Sequence, residues 1–506
     1  MMPKKLLLLG LLVQLLQPGA LWSQPFTELS LPREESESQL RYLASDQMKG
    51  RRTGSAGNDM AARFIADKFK SYGCKPAPGT DKFFQKILFE TVSPAVSGSL
   101  QLGGTSYVLQ EELLITSGHA LSLDKVDVVF AGYGWKDAAT GYNDYEGKSV
   151  KGKIVIVVSG KPDAADPRIA FTVSEEKRKM AAAEGALALF EIYKVPLPWG
   201  IFTSYIAGER LRPVSPNAPD SRNLVYGWIK DKPEAPELKA MQEGQPVKGI
   251  LKTAGARYRE VTSQNVAGLV EGSDPMLKNE YVLLSAHYDH VGVGKQGGGR
   301  VTASDSIFNG ARDNAMGVVA LLAAARALGE NPPKRSVLLL AVTGEELGLL
   351  GSRYYADYPL IPLNQVVYNL NTDGAGYNDT RYVSVIGANR TGVDSLLAQA
   401  AQASGLEVFP DPAPEQGLFD RSDNVAFAAK GIPCITLTPG FTAFDDAINK
   451  YYHQVSDEAD SVDFNYLLKY AQAYAITARL LANLPSTPFW VAGDKYEAAG
   501  KALYNR

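Results

Sequence analysis

Histidine and cysteine are scarce in this chain, with four and two residues respectively among 506. The cysteines, Cys74 and Cys434, leave room for one disulfide at most. They sit in unlike settings, one after a helical pattern and one inside an apolar run, so two buried free thiols are expected. Neither has a histidine nearby in sequence to activate it. Charge of one sign is also lacking. A formal net charge of −3, with no basic run, supplies no field for nucleic acid or an acidic membrane surface. Past the N-terminus no stretch reaches the ~20 unbroken apolar residues of a spanning helix. What remains is 45% hydrophobic and 21% charged, the balance of a folded globular chain long enough for two domains.

The N-terminus carries the one marked apolar run. Lys4 and Lys5 precede Leu6 to Leu16, and small or neutral residues follow up to Ser23. This predicts an export signal over 1–23, a mature chain from about Gln24, and a periplasmic or extracellular destination. A membrane anchor is the alternative, though the run is short for a span.

Beyond it, Asn58 to Tyr72 has helical spacing (Ala61, Phe64, Ile65, Phe69, Tyr72), with Asn58 as cap and Gly73 as stop. From about Leu100 to Lys252 the texture changes to short strand-like runs, Val126–Phe130 and Lys153–Val158, between Gly, Pro and Asp turns. From Val266 apolar strands (Tyr281–Ala286, Ser336–Val342, Val366–Leu370, Ile432–Leu437) alternate with helices (Asn314–Leu328, Thr391–Ala403, Asn465–Leu484). The expected fold class is therefore α/β, a mixed and mostly parallel sheet flanked by helices, with an inserted, mainly β domain. The expected boundaries are 24–105 and 256–506 for the main domain and 106–255 for the insert.

Three of the four histidines fall in chemically loaded settings. His287-Tyr288-Asp289-His290 follows one strand, Gly344-Glu345-Glu346 the next, and Asn371-Thr372-Asp373 lies at the end of a third. Asp313 precedes a helix, and Tyr452-His453 follows the last strand after a loop. In an open parallel sheet the crevice forms beyond the carboxyl ends of the strands, so these residues converge without being close in sequence. Two imidazoles and four or more carboxylates suit a pair of divalent ions sharing one carboxylate bridge. Spacing alone leaves open which of Glu345 and Glu346 binds metal. Zinc is favoured by the mixture of histidine and carboxylate, with cobalt or manganese able to substitute.

The ordered set resembles family 28 of the metallopeptidases, the two-zinc aminopeptidases that also include glutamate carboxypeptidases. The likeness runs through the motifs above, Asn309-Gly310-Ala311-Arg312-Asp313-Asn314-Ala315, Asn58 to Gly73, and Gly431-Ile432-Pro433. The insert is similar to a protease-associated domain through Phe130-Ala131-Gly132-Tyr133-Gly134, Asp144-Tyr145 and Val150-Lys151-Gly152-Lys153. The resemblance implies two Zn2+ per chain: Asp313 bridging, His287 and Asp373 completing one site, Glu346 and His453 the other. It implies Glu345 as general base, a metal-activated hydroxide as nucleophile, and Asp289 orienting His287 through its second ring nitrogen. His290, next to the motif, is expected to support the ligands or to be structural rather than to bind metal itself, and His119 to be a surface residue. One departure is Ser422-Asp423-Asn424, where similar proteins often have Ser-Asp-His, which puts a role for that segment in doubt.

The implied activity is an exported aminopeptidase acting on peptides with a free N-terminus. A glutamate-carboxypeptidase-like enzyme is the rival. It needs convergent arginines, and Arg300, Arg312 and Arg421 form no cluster in sequence. A glutaminyl cyclase fits Asp313-Asn314-Ala315-Met316-Gly317 less well. A non-catalytic receptor or binding module would have lost ligands, whereas every expected position is filled. The segment Val195–Phe202 is read as a satellite core of the insert, with a specificity lid as the alternative.

Overall fold

The computed structural model describes residues 31–164, 166, 169–214 and 221–506, so the expected export signal lies outside the described residues. No helix among the described residues is long and apolar enough to cross a membrane.

The strand Tyr281–His287 shows why a central sheet forms here. Its period-two alternation sends Val282, Leu284 and Ala286 into one apolar cluster and Leu283 into another. Ser336–Val342 divides the same way, with Val337, Leu339 and Ala341 on one face and Leu338, Leu340 and Val342 on the other. A strand apolar on both faces needs cover on both. The helices Met316–Glu330 and Phe464–Asn483 supply it on one side, and Leu350–Asp357 with Asn424–Ala428 on the other. Truncating a side chain such as Leu339 to alanine costs about 2–5 kcal/mol at a site this closed.

The large sheet runs Arg210–Pro213, Phe84–Ser93, Arg257–Val270, Ser336–Val342, Tyr281–His287, Val366–Thr372, Cys434–Pro439, Tyr382–Ile386, Glu407–Pro410. Its middle four strands, Ser336–Val342 through Cys434–Pro439, are parallel, so their carboxyl ends share one edge. The outer strands are added mostly antiparallel.

Gly98–Thr253 builds a second, eight-stranded sheet with a core on each face. Ile154 and Ile156 of the strand Ile154–Val158 face one core, Val155 and Val157 the other. Phe202, on the helix Trp199–Ile206, is buried against Tyr193 and Trp228 in the latter. One segment from this stretch, Arg210–Pro213, instead extends the large sheet by pairing with Phe84–Ser93, and Arg212 pairs with Glu90 across that edge.

The early helix spans Ala56–Ser71 and is capped by Ser55, whose hydroxyl accepts from the Asn58 N–H at 3.2 Å. Asn58 is not the cap. It is buried, donating to the Arg51 carbonyl and accepting from the Ser263 hydroxyl. Cys74 and Cys434 are buried and unpaired.

Candidate metal centre

Three of the four parallel strand ends bring the distant motifs together. His287 closes its strand, Glu345 and Glu346 lie in the loop after Ser336–Val342, and Asp373 directly follows Val366–Thr372. Asp313 lies in the kinked segment Ala311–Ala315 that leads into Met316–Glu330. His453 arrives from the loop before Phe464–Asn483, held at a left-handed φ of 52°.

The Asp313 carboxylate divides its oxygens. Oδ1 is 3.3 Å from His287 Nε2, which in turn is 3.0 Å from Asp373 Oδ1. Oδ2 is 3.2 Å from His453 Nε2, itself 3.0 Å from Glu346 Oε2. Two donor groups result, His287–Asp313–Asp373 and His290–Asp313–Glu346–His453, sharing one carboxylate. Ligand atoms around a tetrahedral ion with bonds of ~2.0–2.1 Å stand about 3.3 Å apart, so the side chains fit a pair of zinc-sized cations.

The unsatisfied atoms agree with that fit. Both ring nitrogens of His290 and Oε1 of Glu346 are buried without a hydrogen-bond partner. Buried polar groups are normally paired, and a set left open around converging carboxylates has the chemistry of a cation site.

The supports come from all sides. Asp457 accepts from the Arg312 N–H (3.0 Å) and the Asp313 N–H (3.2 Å), fixing the bridging residue's backbone. Asn314 donates to the carbonyls of Thr372 (2.9 Å) and His287 (3.4 Å), tying two strand ends to the helix entry. Arg51, 1% exposed, donates to the carbonyls of Leu43, Tyr288, Asn309 and Gly310 at 2.6–2.9 Å. Burial lowers its pKa to about 10, so it stays charged at neutral pH. Ser422 donates to Asp373 Oδ2 at 2.5 Å and accepts from Asn371, a positioning contact where the sequence put a role for this segment in doubt.

Asp289 departs from its expected geometry. His287 Nδ1 faces the main-chain carbonyl of Asp289 at 3.2 Å, while the carboxylate is 3.8 Å away. That carboxylate accepts instead from the Thr53 hydroxyl and the Glu345 N–H. It therefore ties the His287 loop to the glutamate loop, and the histidine ring is oriented by backbone.

Burial would depress both histidines, but the carboxylates prevail. His287 is driven well above its ordinary pKa by Asp373, Glu345 and Asp313, and His453 is pushed up to about 10 by Asp313 and Glu346. Burial works to raise Asp313 and Glu346, yet the histidines hold Asp313 well below the carboxylate range and Glu346 at about 2. Glu345 lies well above its ordinary value, through burial and the neighbouring Asp373, Glu346 and Asp423.

A cleft opens over the centre, walled by Ile386, Leu418, Phe441 and Phe444, with Tyr452 and Arg421 on its rim. Arg300, by contrast, is exposed. Arg312 is consumed, donating to the carbonyls of Tyr377 and Ser461 and stacked on Tyr377 and Tyr451.

Residues 265–477 match the model of peptidase family M28. The chain is 26% identical to aminopeptidase YwaD of Bacillus subtilis over 46% of its own length and 50% of that protein's. It is 31% identical to the vacuolar membrane protease of Saccharomyces cerevisiae over 30% of its length, 14% of the yeast protein. It thus spans half or less of these relatives. An aminopeptidase from Aneurinibacillus sp. strain AM-1 has a similar fold, with TM-score 0.51 and 21% identity over 90% of this chain and 95% of that one.

Proposed function

Because residues 265–477 match the model of peptidase family M28, we propose that this chain is a two-zinc aminopeptidase of that family, removing N-terminal residues from peptides. The observation that carries the reading is the split Asp313 carboxylate, with one oxygen toward His287 and Asp373 and the other toward His453 and Glu346. The name of the Bacillus relative supports the direction of cleavage. The spent Arg312 and exposed Arg300 weigh against capture of a C-terminal carboxylate, which needs convergent guanidinium groups.

In this scheme His287, Asp313, Asp373, Glu346 and His453 hold two Zn2+. When bound, such ions polarise the scissile carbonyl and bring the pKa of water from 15.7 to ~7. Glu345 takes the proton from the attacking water and delivers it to the leaving amine. Its raised proton affinity has the sign a general base requires. Asp289 holds Glu345 through the backbone N–H at 3.2 Å. The apolar wall of Ile386, Leu418, Phe441 and Phe444 receives an apolar N-terminal side chain. The proposal extends to export through residues 1–23 and to a protease-associated role for the second sheet.

The test is mass spectrometry of products from zinc-loaded protein given one unblocked peptide and its N-acetylated twin. The expected result is an N-terminal ladder from the free peptide alone. Trimming of both from the C-terminus would establish the carboxypeptidase instead, and cleavage of neither would favour a binding module.

A further inference from the structure

His290 has no role in the scheme above, yet it is fully buried and sits inside the centre. Its Nδ1 is 2.7 Å from Glu346 Oε1 and 4.0 Å from Asp313 Oδ2. At 2.7 Å an aligned N–H and carboxylate would make a strong hydrogen bond, but both atoms are left without a partner. Two close polar atoms that do not point at each other have the arrangement of donors facing a common third atom. The ring is also wedged in place. A Cβ on Gly310, which has a φ of 59°, would lie 2.6 Å from the His290 Cγ and Cδ2, so the glycine is what lets the imidazole lie against the backbone. The ring meets that of His453 edge-on at 5.5 Å, with the Glu346 and Asp313 oxygens within reach of both.

We infer that His290 is a further ligand, joining Glu346, His453 and Asp313 around one of the two ions. The inference rests on the two-ion reading and makes the two sites unequal. Four protein donors form a closed site of the structural kind, whereas His287, Asp313 and Asp373 leave a position open to water or substrate. The His290 ion is then the tightly held one, and the three-donor ion is the one that exchanges and meets substrate.

Zinc X-ray absorption on the full chain, with titrations against a competing chelator, tests this without any activity readout. The fully loaded protein is expected to show about 1.5 imidazoles per zinc, three rings over two ions, and about two per zinc at one equivalent. His290→Ser and His290→Gln are each expected to lower the loaded value to about one and to weaken the tighter ion by at least ~10–100-fold. About one imidazole per zinc in the unsubstituted protein, or an affinity that neither substitution moves, would overturn the inference while leaving the two-ion reading intact. Failure of the unsubstituted protein to take up zinc at all would overturn both.

Discussion

Lys177 and Glu191 in the smaller sheet's core, and the side chains of His290, Asp313 and Glu346 beyond the strand ends of the larger one, are all taken out of water. Around Lys177 the groups close on themselves. Its ammonium donates to Glu191 and to the Val158 carbonyl at 2.7 Å each, and Glu191 accepts from Tyr226 at 2.7 Å. At the strand ends the histidines and carboxylates leave buried atoms open toward a shared centre. A buried charge is thus not in itself a sign of function. The informative quantity is whether protein partners complete it: a completed cluster holds a fold together, and an incomplete one waits for a ligand.

The comparison breaks first at Glu345. Glu345→Gln keeps the shape of the side chain and both donor groups, so zinc content is expected to hold while kcat/KM falls by about 10²–10⁴. Two bound zincs with undiminished peptide hydrolysis would remove the general base from the scheme. The corresponding cut in the closed cluster is expected to act on stability. Lys177→Met strands Glu191 in an apolar core and is expected to cost about 3–5 kcal/mol in denaturant unfolding, while Lys177→Met with Glu191→Leu recovers most of it. Folded molecules of either variant should keep their zinc and turnover; loss of zinc would show that the two clusters are coupled. Ser422→Ala is milder. It removes the hydroxyl that holds Asp373 Oδ2 and is expected to weaken one zinc by about 10–100-fold in chelator competition, with the fold unchanged.

The sequence exposed the site more fully than its supports. The convergence of His287, Glu346 and Asp373 was legible because each lies at or just beyond the end of an apolar strand, a pattern readable along the chain. Asp313, before a helix, and His453, in a loop, joined them through the resemblance of the ordered set. Arg51 was not, because its four acceptors are backbone carbonyls contributed by three separate segments, and only the fold assembles them. Asp457 sits in an acidic stretch that reads as solvated surface, yet it is fully buried against Asp313. Asn58 carried a cap signal while its side chain serves a buried network, since Ser55 stands three residues earlier with the same chemistry. The pairing of Arg210–Pro213 with Phe84–Ser93 was illegible for a related reason: an edge strand of four residues has almost no pattern of its own.

The smallest effect is one whose sign the strand-end cluster alone decides. In chelated protein, His453 has its pKa pushed up to about 10, against 6.5 for an ordinary histidine. The folded state therefore holds this proton more tightly than the unfolded one. Its stabilisation is fully present below pH ~6.5 and is lost as pH rises toward 10. His287 is raised in the same direction. Asp313 and Glu346 are depressed, so their contribution is lost only in acid and does not oppose the slope in this window. Zinc occupies the place of the imidazolium protons and binds more tightly as they leave, so the loaded protein escapes this loss. Lys177 and Glu191 are also shifted, but they contribute equally with and without zinc and cancel in the difference. Calorimetry from pH 6.5 to 10 is thus expected to show the gap between loaded and chelated melting temperatures widening by on the order of a few degrees. Parallel curves would mean that the histidines of the strand-end cluster are as self-sufficient as the lysine of the other.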